Sequence, residues 1–377
     1  MLRRVASYYP LALTLLFGLV LSLFPTSPAL GDNIGVCQGT VTGAATVKLG
    51  GRVITPSQVL LASGNQLCSD TDSALNLVSM SHTIVVSPNG TPAQNGTALL
   101  TAMATISKAV PSVDNPWLLK LEPGNYNLGN KSLILQPFVD LEGSGEDNTV
   151  ISSTAGTYSD LPDNGALVVA SNTETRFLKI IDSGAVVNKR QIGVVVPSGY
   201  SNVHLTHVTI TVSNPEPHNG TSYALVNYGA TILQNNTISV LSSMYSGGIF
   251  NSGSPANLFI QDSTITTNGS TTSNGIENDD GTVTVQNSNL TASGVSNSSY
   301  GLVVYGTNNT SSVTIQNSTV SASGGTPTYA VYNLAGPGLV RAGASQLSGS
   351  TGASSGLTLC PSSYNGTTFQ PLNSGCQ

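Results

Sequence analysis

Five segments of nine residues share one pattern: NVHLTHVTI (202–210), ATILQNNTI (230–238), NLFIQDSTI (257–265), TVTVQNSNL (282–290) and SVTIQNSTV (312–320). Apolar residues alternate with polar ones in the first half of each copy, and an apolar residue closes it. A weaker copy, LVRAGASQL, occupies 339–347, and the successive starts are 28, 27, 25, 30 and 27 residues apart. Alternation of this kind predicts short strands, and a fixed period near 27 residues indicates a repeat architecture.

A second pattern lies between the copies, where Gly or Ala precedes an apolar residue. It predicts another strand in each unit. A unit of about 27 residues cannot bury its own apolar side, so the units must stack. The sequence therefore predicts an all-β fold, a right-handed parallel β-helix. Leucine-rich repeats would need a helix-forming half-repeat, and propeller blades would need about 40 residues per unit.

Stacking places equivalent residues of successive units in columns. Val, Ile and Leu form the interior columns, whereas Asn and Asp recur where the two strands of each nine-residue segment meet. A short polar side chain tolerates the left-handed conformation at such a corner. The predicted corner residues are Asn235, Asp262, Asn287 and Asn317. A second asparagine position follows the Gly/Ala step, at Asn227, Asn251, Asn278 and Asn333.

The two ends differ from the repeat. Residues 1–31 are typical of a secretory signal peptide, with Arg3 and Arg4 before an apolar stretch, Leu11 to Phe24, and small residues at 29–31. The alternative is a single transmembrane anchor, but 14 residues span only about 21 Å as a helix. No later segment is long and apolar enough to cross a membrane. The signal predicts a secreted protein, extracellular, periplasmic or attached to the cell surface.

The rest of the chain divides into three predicted regions. Residues 32–82 form an N-terminal extension, 83–349 the β-helix and 350–377 a C-terminal cap. A solenoid must cover its open ends, and a capping helix is predicted over Thr97 to Val110. Its apolar face would hold Leu99, Leu100, Met103, Ile106 and Val110.

Four cysteines follow the signal segment: Cys37, Cys68, Cys360 and Cys376. An even number in an oxidising compartment predicts disulfides, for which three connectivities are possible. We favour the pairs that are local in sequence, Cys37–Cys68 and Cys360–Cys376, which would staple each end. Metal binding by these cysteines is disfavoured, because no Cys-x-x-Cys spacing or nearby His is present.

Charge is scarce. Charged residues make up 8% of the chain, with a net charge of −6, against about 25% in ordinary soluble domains. After Arg190 the sole Lys or Arg is Arg341. Nucleic-acid binding, which needs cations opposite phosphates, is therefore disfavoured, and we expect no nucleic-acid partner.

The segment TIVVSPNG (83–90), the helix and LLKLEPGNYNLGNKSLILQPFVDLEGSGEDNTVI (118–151) resemble the start of pectin-lyase-like β-helix proteins, which include pectinesterases. The resemblance rests on a Pro-Gly-x-Tyr turn at 123–126 and a Gly-x-Gly turn at 143–145. It is closer still to a group of bacterial exported β-helix repeat proteins of unassigned activity, which share a VDLEGSGE-type turn and a Cys-terminated tail. The resemblance covers about residues 83–377 and implies the fold, with polysaccharide as the substrate class of the enzymes.

The catalytic segments of those enzymes are absent. Gln-Asp-Thr, Asp-Phe-x-Phe-Gly and Gly-Arg-Pro-Trp segments of pectinesterases do not occur, and Gln261-Asp262-Ser263 belongs to the repeat. The Gly-His-Gly and Arg-x-Lys of polygalacturonases are also missing. Pectate lyases need clustered acids with a cationic base, which a chain with so few cations hardly offers. We therefore lean against an active enzyme.

Two sets of residues are candidates for a site. Glu277, Asp279 and Asp280 form the one dense acidic cluster in the repeats, and strand alternation places Glu277 and Asp279 about 7 Å apart on the outer side. They suggest either a solvated turn, a calcium site or a glycosidase-type carboxylate pair. Tyr223, Tyr300 and Tyr329 each precede a Gly/Ala step, which suggests either a column that stacks on sugars or tyrosines that pack against neighbouring coils.

His204 and His207 lie three residues apart, so in a strand they would face opposite sides and share no metal.

The sequence predicts an exported β-helix protein that presents a repetitive polar surface to polysaccharide or a cell-surface component. The alternatives are a divergent polysaccharide-active enzyme that uses the acidic cluster and a purely structural or adhesive surface protein. No cofactor is expected, with calcium as the one candidate ion.

Overall fold

The computed structural model describes residues 82–157, 164–184, 190–215, 220–254, 256–294, 296–306, 311–334, 338–353, 357–374 and 376, together with the backbone of five short strands before residue 82. The chain divides into two compact units, Met1–Ser81 and His82–Gln377. The predicted signal peptide at 1–31, Cys68 and the side chain of Cys37 lie outside the described residues, so the Cys37–Cys68 bond stays a prediction.

The first unit contains two small antiparallel sheets. β4, β1 and β5 form one, and β2 and β3 form the other. The strands are β1 (Ile34–Gln38), β2 (Val47–Leu49), β3 (Arg52–Ile54), β4 (Leu60–Ser63) and β5 (Ser73–Ala74).

The described residues of the second unit form one helix, α1 (Pro92–Lys108), and the strands of the predicted β-helix. Those before the regular repeats are β6 (His82–Val86), β7 (Trp117–Leu121), β8 (Gly124–Asn127), β9 (Leu133–Ile134), β10 (Val139–Glu142), β11 (Thr149–Ser153), β12 (Gly156–Thr157), β13 (Leu167–Val168), β14 (Thr173–Ser183) and β15 (Arg190–Val196).

The remaining strands carry the repeats. They are β16 (Val203–Asn214), β17 (Thr221–Asn227), β18 (Ala230–Gln234), β19 (Thr237–Ser242), β20 (Tyr245–Ser252), β21 (Asn257–Gln261), β22 (Thr264–Gly269), β23 (Thr272–Asp279), β24 (Thr282–Gln286), β25 (Asn289–Gly294), β26 (Ser298–Tyr305), β27 (Ser312–Gln316), β28 (Thr319–Ser323), β29 (Thr328–Asn333), β30 (Leu339–Gly343), β31 (Gln346–Ser348), β32 (Ser350–Ala353), β33 (Leu357–Leu359) and β34 (Tyr364–Asn365).

These strands form two long sheets, of nineteen and ten strands. Each repeat contributes two strands to the larger sheet and one to the smaller, and each of these strands pairs in parallel with its equivalent in the next coil, whereas β12 pairs antiparallel with β15. Apolar residues alternate inward and stack: Leu233 pairs with Ile260, and Ile260 with Val285, all fully buried. The predicted right-handed parallel β-helix is confirmed.

The predicted corner is also confirmed. Asn235, Asp262, Asn287 and Asn317 have φ values of 55°, 50°, 49° and 49°, all in the left-handed region. Their backbone amides donate across the corner to the next coil, as Asn287 N does to the Gln316 carbonyl at 3.1 Å. The same column also contains residues that the pattern did not single out, namely Phe177, His207 and Ala344, with φ values of 56°, 54° and 50°.

A ladder of serine hydroxyls lies directly behind this corner. The Oγ of Ser288 accepts from Ser263 N at 3.1 Å and donates to the Gln286 carbonyl at 2.6 Å. The same pair of bonds recurs in neighbouring coils, where each serine is at most 5% exposed. The ladder therefore supplies a partner for an inward-facing amide at every turn. Its members are Asn236, Ser263, Ser288, Ser318, Ser345 and Ser363.

The second asparagine position forms an interior ladder. Asn227 Nδ2 donates to Asn251 Oδ1 at 2.7 Å, and Asn251 Nδ2 donates to Asn278 Oδ1 at 2.7 Å. All three are fully buried. Val304 interrupts the column before Asn333, so the ladder spans three consecutive coils.

The capping helix begins earlier than predicted, at Pro92, and ends at Lys108. Thr91 and Gln94 form a capping box, which fixes the start five residues before Thr97. Leu99, Met103 and Ile106 face the core as expected. Val110 does not, because it lies beyond the helix with φ 52° and is 74% exposed.

At the other end, Cys360 and Cys376 form a disulfide across 16 residues, as predicted. The strand ladder nevertheless continues past residue 349: β33 pairs with β30, and β34 with β31. The side-chain pattern fades there while the backbone pairing persists. Within the described residues, no helix is long and apolar enough to cross a membrane.

Candidate functional site

The outer face of the ten-stranded sheet carries a group of aromatic side chains, all partly exposed. We call this group the aromatic layer. Its position follows from the strand pairing, which skips one residue at the Gly/Ala step, so that Leu225, Ile249, Ile276 and Leu302 on the same strands point inward and are fully buried. The members are Tyr223, Tyr228, Tyr245, Phe250, Tyr300, Tyr305, Tyr329 and Tyr332.

The layer has two parts. At its N-terminal part, Tyr223 packs against Tyr245 and Phe250, with ring centroids 5.7 Å apart in both pairs. Beneath these rings lie Ile192 and Val226, fully buried on the outer side of the sheet. Here the tyrosines cover the backbone of the strands, which agrees with the alternative that they pack against neighbouring coils rather than stack on sugars.

At its C-terminal part, three tyrosines stack nearly parallel. The Tyr329 and Tyr332 centroids are 4.6 Å apart at 11°, and Tyr300 lies 6.0 Å and 5.5 Å from them. Tyr223, Tyr300 and Tyr329 do occupy one register position, but Gly247 and Asn274 interrupt the column between Tyr223 and Tyr300. The predicted continuous column is therefore divided into one tyrosine and a separate stack.

Glu277 lies between the two parts and is only 5% exposed. It is aligned with Phe250 on one neighbouring strand and with Val303 on the other. The expectation of a solvated turn is wrong for this residue, because the tyrosines on both sides cover the carboxyl group. Glu277 does face outward, as alternation predicts.

The carboxyl group is held in a polar network. Tyr245 Oη donates to Glu277 Oε1, and Asn274 Nδ2 donates to Tyr245 Oη at 2.6 Å. The pKa of Glu277 is raised to about 7, mainly by burial and also by the charge of Asp279. Hydrogen bonds from Tyr245 and Asn274 and the charge of Arg190 act in the opposite direction. Glu277 can thus exchange a proton near neutral pH, as a general acid must.

Glycine at position 247 makes room for this arrangement. A Cβ there would lie 2.4 Å from the Tyr223 ring and 3.1 Å from Glu277 Oε1. Burial raises the pKa values of Tyr223, Tyr245 and Tyr305, and the charge of Glu277 raises each of them further. The three hydroxyls therefore stay protonated, and that of Tyr245 donates to Glu277.

Asp279 and Asp280 lie at the end of β23 and are partly exposed. Ser252 Oγ donates to Asp279 Oδ2 at 3.2 Å, and Asp280 N donates to Ser311 Oγ at 3.1 Å. In the part of the chain that the structure describes, no group of three or more His, Cys, Asp or Glu side chains is placed to bind a metal ion. The calcium site at Glu277, Asp279 and Asp280 is therefore not proposed.

His204 and His207 are separated as expected, but by the corner. His204 Nε2 lies 3.1 Å from Asn202 Oδ1, whereas the His207 ring stacks on Phe177 at the corner column.

A charged cluster that the sequence did not single out lies nearby, on β7, β10 and β14. Arg176 contacts Glu142 at 2.7 Å, Glu174 at 2.5 Å and Asp140 at 3.7 Å, and Lys120 pairs with Glu142. Its charges are paired with one another, which is typical of a structural network.

Sequence reasoning missed Tyr245, Asn274, Tyr305 and Tyr332, which complete the site. Tyr332 follows Tyr329 by three residues, a signal that was available. Tyr245 had none, because it lies 32 residues from Glu277 and reaches it only through the coil geometry.

No family model matches the chain, and a search of curated proteins found no match. Solved structures do resemble it. A pectin methylesterase from carrot shares 12% identity with a TM-score of 0.47, covering 76% of this chain and 84% of that one. The A-module of the mannuronan C-5 epimerase AlgE4 of Azotobacter vinelandii shares 17% identity with a TM-score of 0.42, covering 71% and 77%.

A DFA-IIIase of Arthrobacter chlorophenolicus A6, in complex with DFA-III, shares 16% identity with a TM-score of 0.39, covering 74% and 76%. The strand topology is that of a parallel β-helix, as predicted. With TM-scores below 0.5 in all three cases, these likenesses carry no argument about activity.

Proposed function

We propose that the protein is exported and binds a polysaccharide on the outer face of its ten-stranded sheet. The observation that carries the proposal is the stack of Tyr300, Tyr329 and Tyr332, partly exposed beside a buried polar network. Aromatic rings with a polar end suit ligands that are apolar on one face and rich in hydroxyls at the edge.

The neighbouring polar groups support the same ligand class. The protonated hydroxyls of Tyr223 and Tyr305 offer donors, since that of Tyr245 is used by Glu277, and the Asn274 amide lies in register beside Tyr300. Asn274 itself is buried, and its Nδ2 holds the Tyr245 hydroxyl in place at 2.6 Å. A few directed polar groups within an aromatic surface are typical of small-molecule and sugar sites.

The experiment is retention of the purified protein on a panel of plant and microbial polysaccharides, measured by affinity gel electrophoresis. Tyr329→Ala and Tyr332→Ala should each weaken retention about tenfold or more, since truncating an aromatic anchor typically costs 2 kcal/mol or more. Tyr364→Ala is the matched control, because that ring stacks on Phe369 in the C-terminal cap. Equal retention of all three variants and the parent would refute the proposal.

A second candidate function is catalysis, and Glu277 is the observation that favours it. Its carboxyl group has a pKa raised to about 7 by burial and lies against Tyr245, a pairing that could transfer a proton to a glycosidic oxygen. The same incubations should be analysed for released sugars, unsaturated ends and methanol by mass spectrometry. Product that disappears in Glu277→Gln but persists in Asp262→Asn would establish an enzyme, whereas retention without product supports a binding module.

A further inference from the structure

The charges of the layer determine which polysaccharides it accepts. Five acidic residues and one basic residue follow Arg190 in the sequence. Three of those five acids, Glu277, Asp279 and Asp280, lie at the end of one strand, β23. Glu277 and Asp279 thus lie on the face that carries the tyrosines, and Asp280 directly follows the strand.

The register gives their separation from the tyrosine stack. Glu277 pairs with Val303, and Val303 with Tyr332, so two strand spacings, about 9.6 Å, separate the carboxyl position from the ring position. Asp279 pairs directly with Tyr305. At about 0.01 M salt the Debye length is about 30 Å, so a charge on a ligand beside the stack would interact with these carboxylates, whereas at physiological ionic strength, where that length is about 8 Å, the interaction is largely screened.

Cations that could offset them are few. Arg190 aligns with Thr221, and Thr221 with Tyr245, and its charge acts on Glu277. Arg341 lies on β30 in the other sheet. In the described part of the chain, the charge of one arginine, Arg190, acts on Glu277, whereas recognition of carboxylate ligands ordinarily uses converging Arg or Lys side chains.

We infer that the ligand is a neutral polysaccharide, and that Glu277, Asp279 and Asp280 exclude polyuronates and other anionic polymers. The inference rests on the proposed function, since it concerns the specificity of the same face. The groups exposed for contact, the tyrosine rings and their hydroxyls, are uncharged and match the apolar faces and hydroxyls of sugars. Like-charge placement against competing ligands is a common device of specific binding sites.

The experiment compares each retained neutral polysaccharide with the same polymer oxidised at C6 to carboxylates. At low salt the oxidised polymer should bind about tenfold more weakly, the order expected for repulsion by two or three partly screened charges. The difference should shrink in 1 M salt. Oxidised polymer that binds as tightly as its neutral parent, or more tightly, would overturn the inference and leave the proposed function standing.

Variants assign the effect to residues. The double substitution Asp279→Asn and Asp280→Asn keeps the side-chain shape, and it should raise the affinity for the oxidised polymer relative to the neutral one. Asp262→Asn removes an acid at the corner of the other sheet, where asparagine occupies the same position in neighbouring coils, and should leave the ratio unchanged. An equal change in the Asp262 variant would contradict a local effect. If no polymer of either kind is retained, the proposed function itself fails.

Discussion

At the scale of single residues, Asp182 is an unusual feature of the coil interior. It is fully buried on β14, and Ile192 N donates to its Oδ2 at 2.8 Å. Within the described residues, its Oδ1 and both side-chain polar atoms of the neighbouring Gln191 have no partner. The pKa of Asp182 is raised to about 8 because the side chain is buried, although the hydrogen bond from the Ile192 amide lowers it in part. The carboxyl is therefore protonated in the folded protein at neutral pH.

This gives a prediction for stability against pH. A free Asp has a pKa of about 3.9, so the folded state binds one more proton than the unfolded chain between about pH 4 and pH 8. The contribution of Asp182 is therefore fully present below pH 4 and is lost as pH rises through 8. The urea midpoint should fall between pH 5 and pH 9, and Asp182→Asn should reduce that fall. An unchanged fall in the variant would contradict the assignment.

Ala344 leads to a second prediction at this scale. It occupies the corner column with φ 50°, a conformation that costs an alanine about 1–2 kcal/mol. Ala344→Gly should therefore stabilise the protein by about 1 kcal/mol, measured by denaturant unfolding. Ala342→Gly, two residues earlier in a buried strand position, should do the opposite. Destabilisation by both substitutions would show that the corner is not strained.

At the scale of the structural element, the serine ladder holds successive coils in register. Removing Ser288 Oγ leaves the amide of Ser263 without its partner in a buried position. An unsatisfied buried donor costs about 1–3 kcal/mol. Ser288→Ala should lower the free energy of unfolding by that amount. Ser239→Ala, at an exposed position of β19, is the control and should change it by less than about 0.5 kcal/mol.

The repeat explains why the strands and the corner could be predicted. Each coil repeats the same dihedral angles, so the periodic positions of Ile, Ser and Asn report the local structure directly. The candidate site could not be predicted in the same way. Its members lie on neighbouring strands of the ten-stranded sheet, and the number of residues between these strands varies along the sequence. The strand pairing also skips one residue at the Gly/Ala step, as between Tyr223 and Leu225.

The helix shows the same limit on a smaller scale. Its buried face was predictable from the spacing of Leu99, Met103 and Ile106, but its start depended on the capping box at Thr91 and on a close approach. Gly96 lies so near β8 that a Cβ would meet the Asn127 carbonyl oxygen at 1.9 Å. An apolar period carries no information about such backbone contacts.

At the scale of the whole molecule, stability is distributed along the solenoid, because each coil contacts only its neighbours. The Cys360–Cys376 bond closes a loop of about 16 residues at one end, worth about 3 kcal/mol in the chain-entropy model. Replacing both cysteines with serine should raise hydrogen exchange in β30 to β34. The central strands β18 to β25 should keep their protection, and a uniform loss along the chain would contradict local coupling.

The serine and asparagine ladders have a consequence for how such a chain changes over generations. Since the hydroxyl of one coil serves the amide of the next in the same geometry at each step, an internal coil is interchangeable with its neighbours. Duplication or loss of one whole coil by recombination within the gene would preserve the amide-to-hydroxyl bonds of the serine ladder. The number of coils, and with it the length of the aromatic surface, can therefore evolve in whole steps while the fold is conserved.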